Sequence, residues 1–234
     1  MKMKTMKIII TAIAILSIGV SGIAAAQSED GHFIVLMGAP AAGKSVNSDW
    51  MSKAYGIPWI NVGEALRAEV EKATKKPRYS ASTQHKRGTA SAKRTKDMNA
   101  ALEKLKNGDL VSNDSLNALV ASSVLSSDAN GGFILDGYPM TVGQAEFLDS
   151  ILEASGISGL KVIYLNVPDE VSLKRMKDSK KSEYKRGIGE ERLKIFRTII
   201  GPLVDYYGEE TIFEIDATQS QSAISAEIVS VIEK

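Results

Sequence analysis

The chain has 234 residues, 44% hydrophobic and 24% charged, with 29 basic and 28 acidic residues and a formal charge of +1. This is the composition of an average soluble globular chain, with length for one complete domain, and it excludes collagen-like, low-complexity and wholly disordered architectures. Zero cysteines and only two histidines, His32 and His85, exclude disulfides, thiolate catalysis, cysteine-bound zinc or iron–sulfur centres and a histidine-rich metal site.

At the start of the chain, Lys2, Lys4 and Lys7 precede a mainly apolar run over 8–20, and Ala24, Ala25 and Ala26 supply small residues before Gln27. That is the order of a secretory signal, so residues 1–26 are expected to be removed and the chain exported, periplasmic or secreted, with no membrane association afterwards. The alternative is an N-terminal membrane anchor, because the weakly polar stretch 8–26 approaches the ~20 residues a bilayer requires. Without the three lysines the balance is 26 basic to 28 acidic residues, so no overall basic excess points to nucleic acid.

Short apolar runs then alternate with segments of helical period. Strands are expected at 32–37, 57–61, 133–135, 162–167 and 212–215, and helices at 45–55, 63–71, 112–123, 142–154, 169–178, 190–207 and 222–233. Strand–helix alternation implies crossover units and a parallel sheet covered on both faces: an α/β fold of three layers, α/β/α, with about five strands. The stretch 75–96 departs from this pattern. It holds eight basic residues (Lys75, Lys76, Arg78, Lys86, Arg87, Lys93, Arg94 and Lys96) and no acid, and reads either as a solvated insertion or as an electrostatic clamp for an anionic ligand.

The first expected strand runs into Gly38-Ala39-Pro40-Ala41-Ala42-Gly43-Lys44-Ser45, which satisfies G-x-x-x-x-G-K-[ST]. Between a strand and a helix this is a phosphate-binding loop: successive backbone N–H groups face phosphate oxygens, and the helix N-terminus adds partial positive charge. Gly38, Ala41, Ala42, Gly43, Lys44 and Ser45 are therefore candidate ATP-binding residues, with Lys44 on the β- and γ-phosphates and Ser45 on Mg²⁺. The plain alternative is a glycine-rich turn followed by an ordinary lysine.

Beyond this loop the chain resembles an adenylate kinase, of the nucleoside monophosphate kinase family, over nearly everything from Phe33 to the C-terminus except the basic insertion. Tyr55-Gly56-Ile57-Pro58 with Gly63-Glu64-Ala65-Leu66-Arg67 resembles the family's entry to the acceptor nucleotide site. Gly108-Asp109-Leu110-Val111 and Leu135-Asp136-Gly137-Tyr138-Pro139 resemble two further signatures, and Gln144 falls where the family recognises the acceptor base. Val167-Pro168-Asp169-Glu170 with Arg175 resembles the approach to the lid, Arg192-Leu193 ten residues before Pro202 resembles the lid-side arginine, and Ile215-Asp216-Ala217-Thr218 resembles the segment closing the donor adenine site. The resemblance implies a P-loop fold whose core spans 32–60, 130–175 and 192–234, with an acceptor-nucleotide subdomain at 61–115 and a short lid at 176–191. It also implies a monomer that takes a nucleoside triphosphate and a nucleoside monophosphate as substrates.

By the same resemblance Lys44, Arg192 and Asp136 are catalytic, Asp136 orienting Mg²⁺ through water with Ser45. Arg175 stacks on the donor adenine, and Gly63, Arg67, Leu110, Val111, Gly137 and Gln144 bind the acceptor. The plain alternatives are helix-surface ion pairs for Arg67 and Arg192, a turn cap for Asp136 and a surface residue for Arg175. The departures concentrate at the acceptor and the lid: Ala41 replaces a glycine, Met140 an arginine on the acceptor phosphate, and Val62 a threonine near the acceptor base. Expected lid arginines align with Ser179 and Lys181, and the paired aspartates with Glu183 and Tyr184. Two functions follow as expectations: ATP + AMP ⇌ 2 ADP, or an exported kinase-like module that binds nucleotide with little or no turnover.

Overall fold

The computed structural model describes residues 31–75, 100, 113–126, 129, 131–179 and 188–234. Five strands form one parallel sheet in the order β2-β3-β1-β4-β5, made of β1 (His32–Gly38), β2 (Trp59–Asn61), β3 (Gly132–Asp136), β4 (Lys161–Asn166) and β5 (Ile212–Asp216). Seven helices accompany them among the described residues: α1 (Lys44–Tyr55), α2 (Val62–Lys75), α3 (Asn113–Val124), α4 (Val142–Ala154), α5 (Asp169–Asp178), α6 (Ile188–Thr211) and α7 (Gln221–Ile232). The expected three-layer α/β architecture is thus present, and every expected strand and helix has a counterpart.

The central strands follow from composition. Phe33, Ile34, Val35 and Leu36 of β1 are all buried because the strand pairs with β3 on one side and β4 on the other while helices cover both faces. The connections leaving β1 and β3 run toward opposite edges, so a crevice opens at the carboxyl end of β1, where open parallel sheets bind ligands. Helix ends are set by side chains. Thr141 Oγ1 accepts from Gln144 N at 3.2 Å to start α4, Ser220 Oγ accepts from Ala223 N at 3.3 Å to start α7, and Lys161 Nζ donates to Ile232 O at 2.6 Å at the end of α7.

Several boundaries shift from expectation, most by one or two residues, and the two larger shifts have physical reasons. Helix α2 continues four residues past 71 to Lys75, since Lys72, Ala73, Thr74 and Lys75 include no helix breaker. The α6 segment runs to Thr211, but Gly208 within it has φ 66° and ψ 171°, so the regular helix ends at the expected Tyr207. Tyr206 OH donates to Asp149 Oδ2 at 2.7 Å and ties α6 to α4; burial, together with that carboxylate, pushes the Tyr206 phenol up to about 12. No helix among the described residues is long and apolar enough to cross a membrane. The 1–26 segment, the basic stretch apart from Lys75, Leu110 and Val111, and lid residues 180–187 lie outside the described residues.

Candidate active site

The site begins where β1 ends. A Cβ on Gly38 would lie 2.9 Å from Leu165 O on the neighbouring strand, so glycine is required there by close backbone approach. The chain then turns tightly, with Ala42 N donating to Ala39 O at 3.1 Å, and enters α1 through Gly43 at φ 102°. Helix α1 has no side-chain cap and no acid in its first turn, which leaves its N-terminal N–H groups and positive dipole end for an anion. Lys44 folds back over the loop, its Nζ donating to Gly38 O at 2.6 Å and Ala39 O at 3.1 Å.

Ala41, where the resemblance has a glycine, is the one non-glycine at positive φ among the described residues, at φ 58°. An L-residue there carries a steric penalty of roughly 1–2 kcal/mol. Ala41→Gly is therefore expected to leave the thermal midpoint unchanged or raise it, the relieved strain offsetting the ~0.4–1 kcal/mol of chain entropy that glycine adds to the unfolded state. Differential scanning calorimetry checks this, with Ala42→Gly, at a buried position without positive φ, as a control that should lower the midpoint.

Other elements bring further groups to the same crevice, a cleft of about 510 Å³. Its wall includes Gly38, Ala41, Gly43, Lys44 and Ser45 from the loop, Gly63 and Arg67 from α2, Asp136 and Gly137 from the end of β3, Arg175 from α5 and Arg192 from α6. Asp136 is only 4% exposed, and its Oδ2 accepts from Asn61 Nδ2 at 3.2 Å, while Asn61 Oδ1 accepts from Glu64 N at 2.9 Å and caps α2. One asparagine thus orients the carboxylate and fixes the helix that carries Arg67. Arg175 is anchored across the loop, Nη2 donating to Ala217 O at 2.8 Å and Nη1 reaching Ala41 O at 3.5 Å.

A second cavity of about 270 Å³ lies on the other side of the loop, lined by Ala42, Asn47, Arg175, Ala217, Gln219 and Gln221 among others. Gln221 Nε2 donates to Asn47 Oδ1 at 2.7 Å, closing α7 onto α1 beside it. Most expected site residues therefore converge on two adjoining spaces that share the loop and Arg175.

Gln144 stands apart. It is 1% exposed and is not on the cleft wall; its Oε1 accepts from Met140 N at 2.7 Å, so it holds the backbone of Met140 from behind the wall. Met140 itself is half-buried and on the wall, as is buried Val62, so these two departures from the resemblance face the cleft along with Ala41 and Ser179. Tyr138 OH donates to Asn117 Oδ1 at 2.7 Å, tying the loop after β3 to α3, and burial raises its phenol far above the ordinary value.

Sequence reasoning missed Asn61, Asn47, Gln221 and Ser172, the last of which donates from Oγ to Pro40 O at 2.6 Å. A signal existed for two of them. Asn47 and Ser172 share the buried faces of their helices with Met51 and Met176, and buried polar side chains must find partners.

A carboxylate and a hydroxyl at the end of a phosphate loop suit a hard cation that keeps most of its ligands as water and substrate oxygen. The cations Lys44, Arg67, Arg175 and Arg192 supply what transfer of a phosphoryl group needs, charge neutralisation and positioning.

Comparison with known proteins agrees with this geometry. The adenylate kinase family profile matches residues 85–212. The chain is 32% identical to the adenylate kinase of Mycobacterium tuberculosis (strain ATCC 25618 / H37Rv) over 193 residues, covering 82% of this chain and 94% of that protein. It is 29% identical to the adenylate kinase of Methylobacterium radiotolerans over 211 residues, covering 86% and 95% respectively. With a phosphate loop, a parallel five-stranded sheet and cationic helices gathered at its carboxyl edge, the chain is a phosphotransferase and belongs to the adenylate kinase family.

Proposed function

We propose that this protein transfers the γ-phosphoryl group of ATP to AMP, giving two ADP, with Mg²⁺, and that it acts as a monomer. The observation that carries the reading is the convergence of Lys44, Asp136, Arg67 and Arg192 on one cleft at the end of β1. The acceptor is already an oxyanion, so no general base is needed: an acceptor phosphate oxygen bonds to the γ-phosphorus as the bond to the β,γ-bridging oxygen breaks and ADP leaves. Lys44 and Arg192 balance charge on the transferring group, and Arg67 holds the acceptor phosphate. Ser45 and Asp136 would hold Mg²⁺, which supplies further neutralisation of phosphate charge when bound. Arg175 holds the donor base side, in the cavity it shares with Ala217 and Gln221.

A coupled ADP-formation assay with AMP, CMP, UMP and GMP tests the reading, with AMP expected as the best acceptor. Met140 on the acceptor wall supports a second reading, a nucleotide-binding module without turnover. ATP binding by calorimetry together with no ADP from any of the four acceptors would establish that second reading.

The proposal extends to location. The lysine-rich start, apolar run and Ala24-Ala25-Ala26 support export with cleavage after Ala26. Intact mass of the protein from the envelope or medium should place Gln27 at the N-terminus, and a full-length, membrane-sedimenting product would instead support the anchor.

A further inference from the structure

Arg197 is placed in no role by the site described so far, yet its guanidinium reaches three acceptors on two other elements and the turn between them. Its Nε donates to Asp169 Oδ1 at 2.7 Å, its Nη2 donates to Val167 O at 2.7 Å, and its Nη1 reaches Tyr164 OH at 3.4 Å. The three acceptors come from β4, from the turn after it and from the first turn of α5. The side chain is 31% exposed, so this is more than a solvent-bathed ion pair. Such pairs contribute little on their own, whereas a planar fork holding three fixed acceptors sets geometry.

What the fork joins gives it meaning. Helix α5 is tied to the phosphate loop, through Ser172 Oγ on Pro40 O at 2.6 Å and through Arg175 on Ala41 O. Helix α6 carries Arg192, about 7.5 Å along the axis from Arg197 at 1.5 Å per residue, and between them Ile195 and Phe196 line the cleft. The route from loop to Arg192 thus runs through Ser172, α5, Asp169, Arg197 and α6. Phe196 packs near Tyr164 with ring centroids 6.2 Å apart, placing a second contact beside the fork.

We propose that Arg197 is a positioning residue for phosphoryl transfer, setting the distance of Arg192 from the phosphate loop by pinning α6 to Asp169, Val167 and Tyr164. This rests on the kinase reading only in taking Arg192 as a phosphate-contacting arginine.

The test is a double-mutant cycle on the full chain, read first in ATP affinity by calorimetry and then in kcat. Arg192→Ala in the wild-type background should weaken ATP binding about tenfold, and Arg197→Gln alone about fivefold. In the Arg197→Gln background, Arg192→Ala should add less than twofold, because coupled residues are not additive. Arg197→Lys, which keeps the charge but loses the fork, should fall between wild type and Arg197→Gln. Asp169→Asn should show the same coupling more weakly and serves if Arg197→Gln does not fold. Lys194→Ala, which removes an exposed pair with Glu191 on the same helix, should leave binding unchanged. Additive losses in the cycle, or wild-type binding by Arg197→Gln, would overturn the proposal. If the wild type fails to bind ATP at all, it is the nucleotide reading that falls; if ATP binds without turnover, the affinity cycle still decides the role of Arg197.

Discussion

Lys44→Ala should lower ATP affinity tenfold or more. The lysine amine lies over the loop with two carbonyl partners, Gly38 O and Ala39 O, and lines the cleft with Ser45 and Asp136. A hydrogen bond to a charged group is worth about 1.5–3 kcal/mol, and each ~1.4 kcal/mol is a factor of ten in affinity. Alanine removes the only side chain of the loop that can both neutralise phosphate charge and donate to it. The exposed N-terminus of α1 stays, so residual binding is expected rather than none. Calorimetry with ATP in magnesium buffer measures the change, and a thermal melt of the mutant separates lost binding from a collapsed loop. Equal ATP binding by wild type and mutant would rule out the loop as the phosphate site.

Met140→Arg should lower the acceptor KM about tenfold while the donor KM hardly moves. Met140 is half-buried on the cleft wall, its backbone held by buried Gln144, so a longer side chain at this position starts from a fixed Cα and enters the space that Arg67 also lines. A thioether neither neutralises charge nor donates a hydrogen bond, whereas a guanidinium does both in a forked geometry that fits a phosphate. One charged hydrogen bond of roughly 1.5–3 kcal/mol is largely offset by about 1.5–2 kcal/mol for ordering the new side chain, so the tenfold gain, about 1.4 kcal/mol, is expected from the fork making both of its bonds. Steady-state kinetics with AMP varied at saturating ATP, then the reverse, separates the two sites. A mutant that still gives no ADP with AMP, CMP, UMP or GMP while binding ATP would favour the binding module. A wild type that is already efficient, with a mutant that is impaired, would mean the acceptor phosphate is held by a different set of groups.

Both predictions depend on one expectation drawn from the resemblance, that the donor loop is kept while the acceptor side is altered, in a chain about 30% identical to its adenylate kinase relatives. Ala41 at φ 58° shows that even the kept loop carries a substitution its backbone does not favour. Met140 makes its own position apolar where the resemblance has a cation, and on the acceptor side as the resemblance assigns it, Arg67 is the cation on the wall among the described residues.

The fold was legible in the chain because a strand buried on both faces must read as an unbroken apolar run, and His32-Phe33-Ile34-Val35-Leu36-Met37 does so. The loop was legible because phosphate binding by backbone N–H groups needs glycines at fixed offsets and a lysine after them, a local requirement that leaves a local pattern. Arg67, Asp136, Arg175 and Arg192 were found through the resemblance, and the structure gathers them on one wall. What only the tertiary structure decided are contacts between segments far apart in sequence. Asn61 orients Asp136 across 75 positions, Asn47 meets Gln221 across 174, and Ser172 holds Pro40 across 132. Gln144 illustrates the difference: the resemblance implies a base-reading amide, and only packing shows that it is buried with its oxygen on Met140 N. Periodicity and motif record which face of its own element a residue occupies, but the partner of a polar side chain depends on which other element the core brings against it, and that is set by packing of the whole domain.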